Sequence, residues 1–316
     1  AVRAMYGGKN FATSKVNLAT GDGGSGRQAG SAFKPFTLAA AMEQGYSLDS
    51  QWYGPSPITI QDPECYTDGA PWELSNASDS ESGTFTLLSA TTHSVNTVYA
   101  QVASAVTPKA IVDVAGRMGI RSPLEPVCSI TLGTQAVTPL EMTNAYATLA
   151  ARGWRHRASP LERVDTADGE TDLQIGGRGK LVLRQNDADL ITYALETVIE
   201  SGTGTAAAIG RPAAGKTGTA QEYWDAWFCG YVPQLVTCVW VGYPQGEIPL
   251  EDVEGFSAVY GGTIPALIWH DFMSQATAAM RIKDFADPSF EGYTLDAPSP
   301  PPPPAPSVAP SPKPSP

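Results

Sequence analysis

Runs of strand-forming residues are concentrated in the last third of the chain, whereas apolar residues at helical spacing fill its middle. Strands are predicted over residues 216–221, 226–232 and 235–243, which are rich in β-branched and aromatic residues. A further strand is predicted at 2–7, and a hairpin at 161–175. The predicted helices span 31–44, 86–92, 96–106, 108–118, 139–151, 187–200 and 264–275. This order predicts an α+β fold, in which a central antiparallel sheet is flanked by helices and carries an all-helical insert.

The length and composition favour one folded domain followed by a tail. The chain has 316 residues, of which 42% are apolar and 16% charged, as expected for a globular protein with a well-buried core. Proline occupies 11 of the 20 positions from 297 to 316. Such a segment favours extended polyproline II structure and has little to bury. We therefore predict a folded domain over residues 1–296 and a disordered proline-rich tail over 297–316.

The charge balance excludes one class of function. Acidic residues outnumber basic residues 32 to 20, giving a net charge of -12. A nucleic-acid-binding protein needs a basic face to neutralise phosphates, so no nucleic-acid partner is predicted. The sequence contains no run of 18 apolar residues and no N-terminal signal segment. Because the chain begins inside a predicted strand, we expect it to be a piece of a longer protein.

Two of the four cysteines are spaced as expected for residues that face each other across a hairpin. A turn at residues 233–234 would place Cys229 and Cys238 opposite each other on paired strands, where a disulfide can form. The alternative is that both are small buried apolar residues. The three histidines lie far apart and no CxxC pair is present, which argues against a structural zinc site.

Ser31 and Lys34 form an S-x-x-K motif at the start of the helix predicted over 31–44. Three-residue spacing on a helix brings the hydroxyl and the amine to one face. The free N–H groups and the positive dipole at a helix N-terminus favour a developing anion there. An N-cap serine followed by a solvated lysine gives the same pattern, so this motif alone is weak evidence of catalysis.

Two further motifs also place polar side chains on short turns or strand ends. Ser94 and Asn96 form S-x-N between two predicted helices, where a hydroxyl and an amide could relay a proton and bind a substrate amide. Lys216, Thr217 and Gly218 form K-T-G at the start of a predicted strand, combining a positive charge, a hydroxyl and space for close backbone approach. Serine and asparagine are ordinary loop and cap residues, so each motif alone is again weak.

Residues 210–217 match the phosphate-loop pattern G-x-x-x-x-G-K-[ST]. A phosphate loop requires a buried strand before it and a helix after it. A glycine- and alanine-rich stretch precedes the pattern here, and a strand-like run follows it. The sequence therefore argues against a nucleotide site, and no cofactor is predicted.

Taken in order, S-x-x-K, S-x-N and K-T-G resemble the motif set of the penicillin-binding protein and serine β-lactamase superfamily. The residues around them narrow the resemblance to class A, bifunctional penicillin-binding proteins, through segments 27–36, 132–147 and 215–231. The resemblance covers roughly residues 1–280. It implies the transpeptidase domain and α+β fold of such a protein, with a membrane anchor and a glycosyltransferase domain upstream.

The resemblance also implies catalytic roles. Ser31 would attack the carbonyl of a D-alanyl-D-alanine stem peptide, with Lys34 as its base and Ser94 as the proton donor to the leaving amine. A hydroxyl needs such a base, and Lys34 can serve only when neutral. Its pKa must therefore be lowered, and like-charge repulsion from a neighbouring Lys216 would lower it.

The substrate-binding roles follow from the same resemblance. Asn96 would bind the peptide backbone, whereas Lys216, Thr217 and Thr219 would hold the terminal carboxylate, with Gly218 giving room for close approach. The backbone N–H groups of Thr219 and of the nucleophile would form the oxyanion hole.

The implied partners are peptidoglycan stem peptides, as donor and as amine acceptor, and β-lactam antibiotics. Cell-wall proteins are further candidate partners, and membrane attachment is expected only through the upstream anchor. Because the substrate is assembled outside the cytoplasmic membrane, the domain is expected to be extracytoplasmic. Disulfides persist in that compartment, which favours a Cys229–Cys238 bond.

The alternatives differ mainly in the fate of the acyl-enzyme. A β-lactamase would hydrolyse it, but no Glu-x-x-Leu-Asn segment lies between Asn96 and Lys216. A D,D-carboxypeptidase differs in the choice of acceptor, and a non-enzymatic β-lactam sensor stays acylated. The flanking segments resemble those of cell-wall synthases, so we predict a D,D-transpeptidase.

Overall fold

The computed structural model describes residues 1–8, 12, 15–21, 26–78, 81–174 and 179–296, so the predicted tail lies outside the described residues. The helices are α1 Lys34–Glu43, α2 Leu87–Thr92, α3 Asn96–Val106, α4 Pro108–Met118, α5 Pro139–Ala150, α6 Gln185–Glu200 and α7 Ile264–Thr277. The strands are β1 Arg27–Gln28, β2 Gln51–Gly54, β3 Ile58–Ile60, β4 Trp72–Leu74, β5 Gly83–Thr86, β6 Ala136–Val137, β7 Trp154–Arg155, β8 Arg163–Asp165, β9 Thr171–Gln174, β10 Lys180–Leu181, β11 Ala214–Thr219, β12 Asp225–Val232, β13 Leu235–Gly242, β14 Glu251–Val253 and β15 Phe256–Ala258.

The central sheet consists of β11, β12 and β13 in that order, and neighbouring strands are antiparallel. The register places Lys216 opposite Cys229, and Cys229 opposite Cys238. The other described strands form two-stranded pairs around the helices, among them the hairpin β8–β9 that the sequence predicts. The K-T-G motif therefore lies on an edge strand of the sheet.

Both faces of β12 are buried because its side chains alternate between two apolar clusters. Trp227 and Tyr231 pack into the main core on the side of α5 and α6, where the Tyr231 hydroxyl lies 2.9 Å from the Thr192 hydroxyl. Phe228 points the other way and packs edge-on against Trp269 of α7, with ring centroids 5.3 Å apart. This two-residue alternation holds the sheet between helical layers and gives β11 a rigid support.

Helix α1 runs through the middle of the helical body, and its residues from Lys34 to Met42 are all buried. It packs against α3, α4 and α6. Helix α5 begins with a capping box, in which the Thr138 hydroxyl accepts from the Glu141 N–H at 3.1 Å and the Glu141 carboxylate accepts from the Thr138 N–H at 3.2 Å. No helix in the part of the chain that the structure describes has the length and apolar character that a membrane crossing requires.

All four cysteines form disulfides. The Cys229–Cys238 bond joins opposite positions of β12 and β13, as the hairpin register predicts, so this prediction is confirmed. A second bond joins Cys65 to Cys128, across 63 residues. It ties the 3-10 turn Pro63–Cys65, which follows β3, to the 3-10 turn Cys128–Leu132. The sequence left this second pairing open.

Two sequence predictions require correction. Residues 1–8 form no strand; Val2 donates one backbone hydrogen bond to the Ser159 carbonyl at 2.8 Å. No strand lies beside them in the described part of the chain and most of their side chains are exposed, so an alternating pattern has no face to bury. The helix predicted from residue 31 begins instead with a 3-10 turn, Gly30–Phe33, and becomes α-helical at Lys34.

Residues 281–296 form an extended segment that returns from α7 to the helical body. The Ser47 N–H donates to the Tyr293 carbonyl at 2.9 Å, and the Tyr293 N–H donates to the Gly45 carbonyl at 2.9 Å. The Gln51 N–H donates to the Leu295 carbonyl at 2.7 Å. Phe285 and Phe290 also pack edge-on against tyrosines of β12 and α6. Within the described residues these contacts extend as far as Leu295, and the domain boundary at 296 stays a prediction.

We expect a protein truncated after Asp296 to keep its melting temperature and its rate of acylation by penicillin. Truncation after Ala278 should instead lower the melting temperature by about 5 °C or more, because three packed aromatic side chains, Phe285, Phe290 and Tyr293, are lost with the segment. Differential scanning fluorimetry and a fluorescent-penicillin assay measure both properties. A clear loss of either one in the protein ending at 296 would show that the tail packs on the domain.

Candidate active site

Ser31 lies in the 3-10 turn that leads into α1, directly against the backbone of β11. Gly30 has φ +56°, and a Cβ atom there would lie 2.4 Å from the Thr219 carbonyl oxygen. A Cβ atom on Gly218 would likewise lie 2.2 Å from the Ala29 carbonyl oxygen. Only glycine permits this approach. The backbone turn that carries Ser31 is therefore held against the end of β11, and Ser31 is partly exposed.

Lys34, the first residue of α1, is fully buried, and its amine is surrounded by oxygen atoms. Its Nζ atom donates to the Ser94 carbonyl oxygen at 2.6 Å, the Asn96 Oδ1 atom at 2.7 Å and the Ser94 hydroxyl at 3.1 Å. Burial lowers the pKa of Lys34 well below its usual value, and repulsion from Lys216 adds to this, whereas Glu81 opposes it. The site therefore favours a neutral Lys34 amine.

Ser94 occupies a tight turn between α2 and α3, with φ +62°. Its hydroxyl accepts a second hydrogen bond, from the Lys216 Nζ atom at 2.8 Å. Asn96 begins α3, and its amide nitrogen donates to the Ser75 carbonyl at 3.2 Å. The S-x-N turn is thus held between two buried lysines, and Ser94 contacts both of them.

Strand β11 supplies the other wall of the site. Burial lowers the pKa of the Lys216 amine to about 7, and this amine also donates to the Thr217 carbonyl at 3.2 Å. The Thr217 hydroxyl lies 2.7 Å from the hydroxyl of Thr203. The Thr219 hydroxyl accepts from the Gly261 N–H at 3.1 Å. These bonds fix both threonine side chains beside the cleft.

The three predicted motifs meet in one cluster, although Lys34 and Lys216 are far apart in sequence. Both lysines bind the Ser94 hydroxyl, and the turn that carries Ser31 rests on Gly218 and Thr219. Within the described residues, no hydrogen bond joins the Ser31 hydroxyl to Lys34. The two residues of S-x-x-K are therefore adjacent at a turn-to-helix junction, whereas the sequence predicted one face of a continuous helix.

The phosphate-loop pattern does not form a phosphate loop. Lys216 and Thr217 lie inside strand β11, which is followed by a short 3-10 turn, and residues 210–213 before it are not a strand. The exclusion of a nucleotide site on the basis of sequence context is supported by this arrangement.

Sequence reasoning missed several residues that hold the site in place. Thr203 and Gly261 bind the hydroxyls of the K-T-G strand, and the Asn76 side chain binds the start of α3. Asn76 also belongs to an Asn-x-Ser sequon, but its side chain is only 8% exposed. None of these residues belongs to one of the motifs, so the sequence alone offered no signal for them.

These features define a class of site. The turn that carries the partly exposed Ser31 leads directly to Lys34, a buried amine of lowered pKa, and rests on the strand that bears Lys216, a second such amine. Backbone N–H groups at the helix start and at the strand end lie at the same junction. Such groups can activate the hydroxyl, stabilise an oxyanion and return a proton to a leaving amine. This is the chemistry of acyl transfer through a serine ester.

Comparison with known proteins identifies the family. The family model of the penicillin binding protein transpeptidase domain matches residues 1–247, and the chain belongs to this family. It is 34% identical to penicillin-binding protein 1A of Mycobacterium tuberculosis strain H37Rv, over 92% of this chain and 36% of that protein. The chain thus spans about a third of the length of that curated relative.

Solved structures agree with the α+β fold predicted from the sequence. The penicillin-binding protein PonA1 from Mycobacterium tuberculosis matches with a TM-score of 0.80 and 32% identity, over 93% of this chain and 79% of that chain. The same protein in complex with penicillin V matches with a TM-score of 0.78 and 32% identity, over 94% of this chain and 80% of that one. The predicted fold class is therefore confirmed.

Proposed function

We propose that this domain is a D,D-transpeptidase that cross-links peptidoglycan stem peptides through an acyl-enzyme on Ser31. The observation that carries the proposal is the Ser94 hydroxyl, which is bound by two buried lysines next to the turn that bears Ser31. PonA1 from Mycobacterium tuberculosis, which is similar to this chain in fold and sequence, has been solved in complex with penicillin V. We infer that β-lactams acylate Ser31 of this chain in the same cleft.

In the first step, Lys34 acts as the base. A neutral amine has two N–H groups and one lone pair, and Lys34 has two partners that can only accept, the Ser94 carbonyl and the Asn96 Oδ1 atom. The lone pair is then left for a hydroxyl proton. Ser31 transfers its proton to Lys34 and its oxygen attacks the penultimate D-alanine carbonyl, while the N–H groups of Ser31 and Thr219 stabilise the oxyanion.

In the second step, the carbon–nitrogen bond to the terminal D-alanine breaks. The Ser94 hydroxyl gives its proton to the leaving amine and recovers one from the protonated Lys34, to which it is hydrogen-bonded. In the third step, an acceptor amine attacks the ester and passes its proton back along the same path. The new amide forms as the ester bond to Ser31 breaks, so the serine is regenerated.

The K-T-G strand is proposed to bind the terminal carboxylate of the donor. The charged form of Lys216 attracts it, and the hydroxyls of Thr217 and Thr219 can donate hydrogen bonds to it. Gly218 lets the substrate backbone approach the strand, and Asn96 binds the peptide on the opposite side of the cleft. A β-lactam carries a carboxylate in the corresponding place.

We further propose that the domain works outside the cytoplasmic membrane, where its substrate is assembled. Two disulfides in a chain with four cysteines support this compartment. Cell-wall proteins remain proposed partners, as does membrane attachment through an upstream anchor.

The second-order rate constant for acylation is expected to follow a bell-shaped pH profile. It should rise as Lys34 loses its proton and fall above about pH 7 as Lys216 becomes neutral and loses its attraction for the carboxylate. The variant Lys216→Arg, which cannot lose its charge, should move the alkaline limb to higher pH, whereas Lys109→Arg on exposed α4 should not. Stopped-flow acylation across pH measures both limbs. An alkaline limb unchanged by Lys216→Arg would contradict the assigned role of Lys216.

Product analysis separates the proposed function from its alternatives. With a pentapeptide ending in D-alanyl-D-alanine and a second stem peptide as amine acceptor, mass spectrometry should detect free D-alanine and a cross-linked dimer. A carboxypeptidase would release D-alanine and a tetrapeptide without a dimer. A sensor would yield neither product and would remain acylated by penicillin.

A further inference from the structure

The side chain of Asn76 bridges two segments beside the S-x-N turn. Asn76 lies in the coil after β4 and is 8% exposed. Its Oδ1 atom accepts from the Thr97 N–H at 3.0 Å, and its Nδ2 atom donates to the Glu81 carbonyl at 2.5 Å and to the Thr97 hydroxyl at 3.2 Å. Its own N–H donates to the Ser56 hydroxyl at 3.0 Å. Two of these four contacts bind Asn76 to the start of α3, and the other two bind it to Glu81 and Ser56.

Helix α3 depends on Asn76 for its N-terminal cap. The first N–H groups of a helix have no partner within the helix, and they are usually capped by a side chain of the residue just before it. That residue is Val95, which has no side-chain acceptor. Thr97 is fully buried, so its N–H cannot be satisfied by solvent, and Asn76 provides the acceptor from 21 positions earlier in the chain.

The neighbouring backbone orients the amide of Asn96. The Ser75 carbonyl accepts from the Asn96 Nδ2 atom at 3.2 Å, which leaves the Oδ1 atom of the same amide to face Lys34 at 2.7 Å. Residues 75 and 76 thus bind two consecutive residues of α3. Ser94, two residues before Asn96, holds a left-handed backbone conformation that a non-glycine residue adopts only when its surroundings enforce it.

We propose that Asn76 is a positioning residue for acylation, which holds the Ser94–Asn96 turn in place between Lys34 and Lys216. It touches neither the reacting atoms nor the two lysines, and acts through the cap on α3. This inference rests on the proposed function, because it concerns the rate at which Ser31 is acylated. It assigns a functional role to a part of the chain, the β3–β4 hairpin and the coil after it, that lies outside the three motifs.

The variant Asn76→Ala tests this role. We expect its maximal acylation rate by a chromogenic cephalosporin, per active site, to fall by about 10- to 100-fold, as displacement of a catalytic group by about 1 Å does. The concentration giving half the maximal rate should change by less than about threefold, since the carboxylate-binding strand is untouched. Active sites are counted by burst titration, so that loss of folded protein does not enter the rate.

Two further variants separate positioning from stability. Asn186, which lies away from the cleft, also bridges two segments through both ends of its amide. Its Nδ2 atom donates to the Ser289 carbonyl at 2.9 Å, and its Oδ1 atom accepts from the Ser289 N–H at 2.8 Å. Asn186→Ala should lower the melting temperature and leave the rate per active site unchanged. Asn76→Asp keeps an acceptor for the Thr97 N–H at a helix N-terminus, and should recover the rate to within about threefold of the original protein.

The possible results are distinguishable. A rate per active site in Asn76→Ala within about threefold of the original protein would overturn the positioning role, as would an equal loss in Asn186→Ala. If Asn76→Ala does not fold, the acylation rate of Asn76→Asp tests the role instead. A rate more than tenfold below that of the original protein, at an unchanged melting temperature, would show that the cap on α3 does not determine the acylation rate. If the original protein itself is not acylated, the proposed function fails and not only this inference.

Discussion

The variant Ser31→Ala is expected to abolish covalent labelling by penicillin completely. The proposed ester forms on the Ser31 oxygen, and removal of this atom leaves no nucleophile at the turn that rests on β11. Labelling is measured with fluorescent penicillin on denaturing gels, and the melting temperature confirms that the variant is folded. Ser201→Ala, at the exposed end of α6, serves as the matched control and should label like the original protein.

Continued labelling of a folded Ser31→Ala protein would contradict the assignment of the nucleophile. It would direct attention to the Ser94 hydroxyl, which is bound by both lysines.

The variant Lys34→Ala should slow acylation by about 100-fold or more, as expected when a general base is lost. Lys34 is a buried amine of lowered pKa, and two of its three hydrogen-bond partners can only accept. The acylation rate is measured under saturating β-lactam. Lys109→Ala provides the control, because Lys109 is exposed on α4 and pairs with Asp113 on the same helix.

A rate within about threefold of the original protein in Lys34→Ala would contradict its role as base. The Lys216 amine, with its pKa lowered to about 7, would then be the alternative base. Because Lys216 also binds the Ser94 hydroxyl, the double variant would show whether the two lysines substitute for each other.

Much of the secondary structure could be predicted from local sequence signals. The helices predicted over 96–106 and 108–118 coincide with α3 and α4, since Thr107, Pro108 and Gly119 mark their ends. The β12–β13 hairpin and its disulfide followed from the spacing of Cys229 and Cys238. The prediction of a strand at 2–7 was wrong, because these residues have a strand-like pattern but no described strand lies beside them.

The clustering of the three motifs could also be predicted, but the contacts within the cluster could not. The order of three motifs brought Ser31, Lys34, Ser94 and Lys216 together through a family resemblance. No local pattern shows that the Ser94 hydroxyl binds both lysines. From the sequence, the lowered pKa of Lys34 was assigned to repulsion by Lys216, whereas burial is the larger cause. Burial depends on the packing of α1 within the helical body, which no local pattern reports.

The supporting residues were invisible in the sequence for a related reason. Asn76 caps a helix that begins 20 positions later, and Thr203 binds the hydroxyl of Thr217 from a separate turn. Pattern analysis finds caps only where the capping residue directly precedes its helix. Contacts that join distant segments become visible only in the folded chain.

Peptide mapping of the penicillin-treated protein tests the central proposal most directly. The intact mass of the folded protein should increase by one penicilloyl group, and proteolysis followed by mass spectrometry should place that group on Ser31. An adduct on any other residue, or no adduct on a folded sample, would contradict the proposed acyl-enzyme.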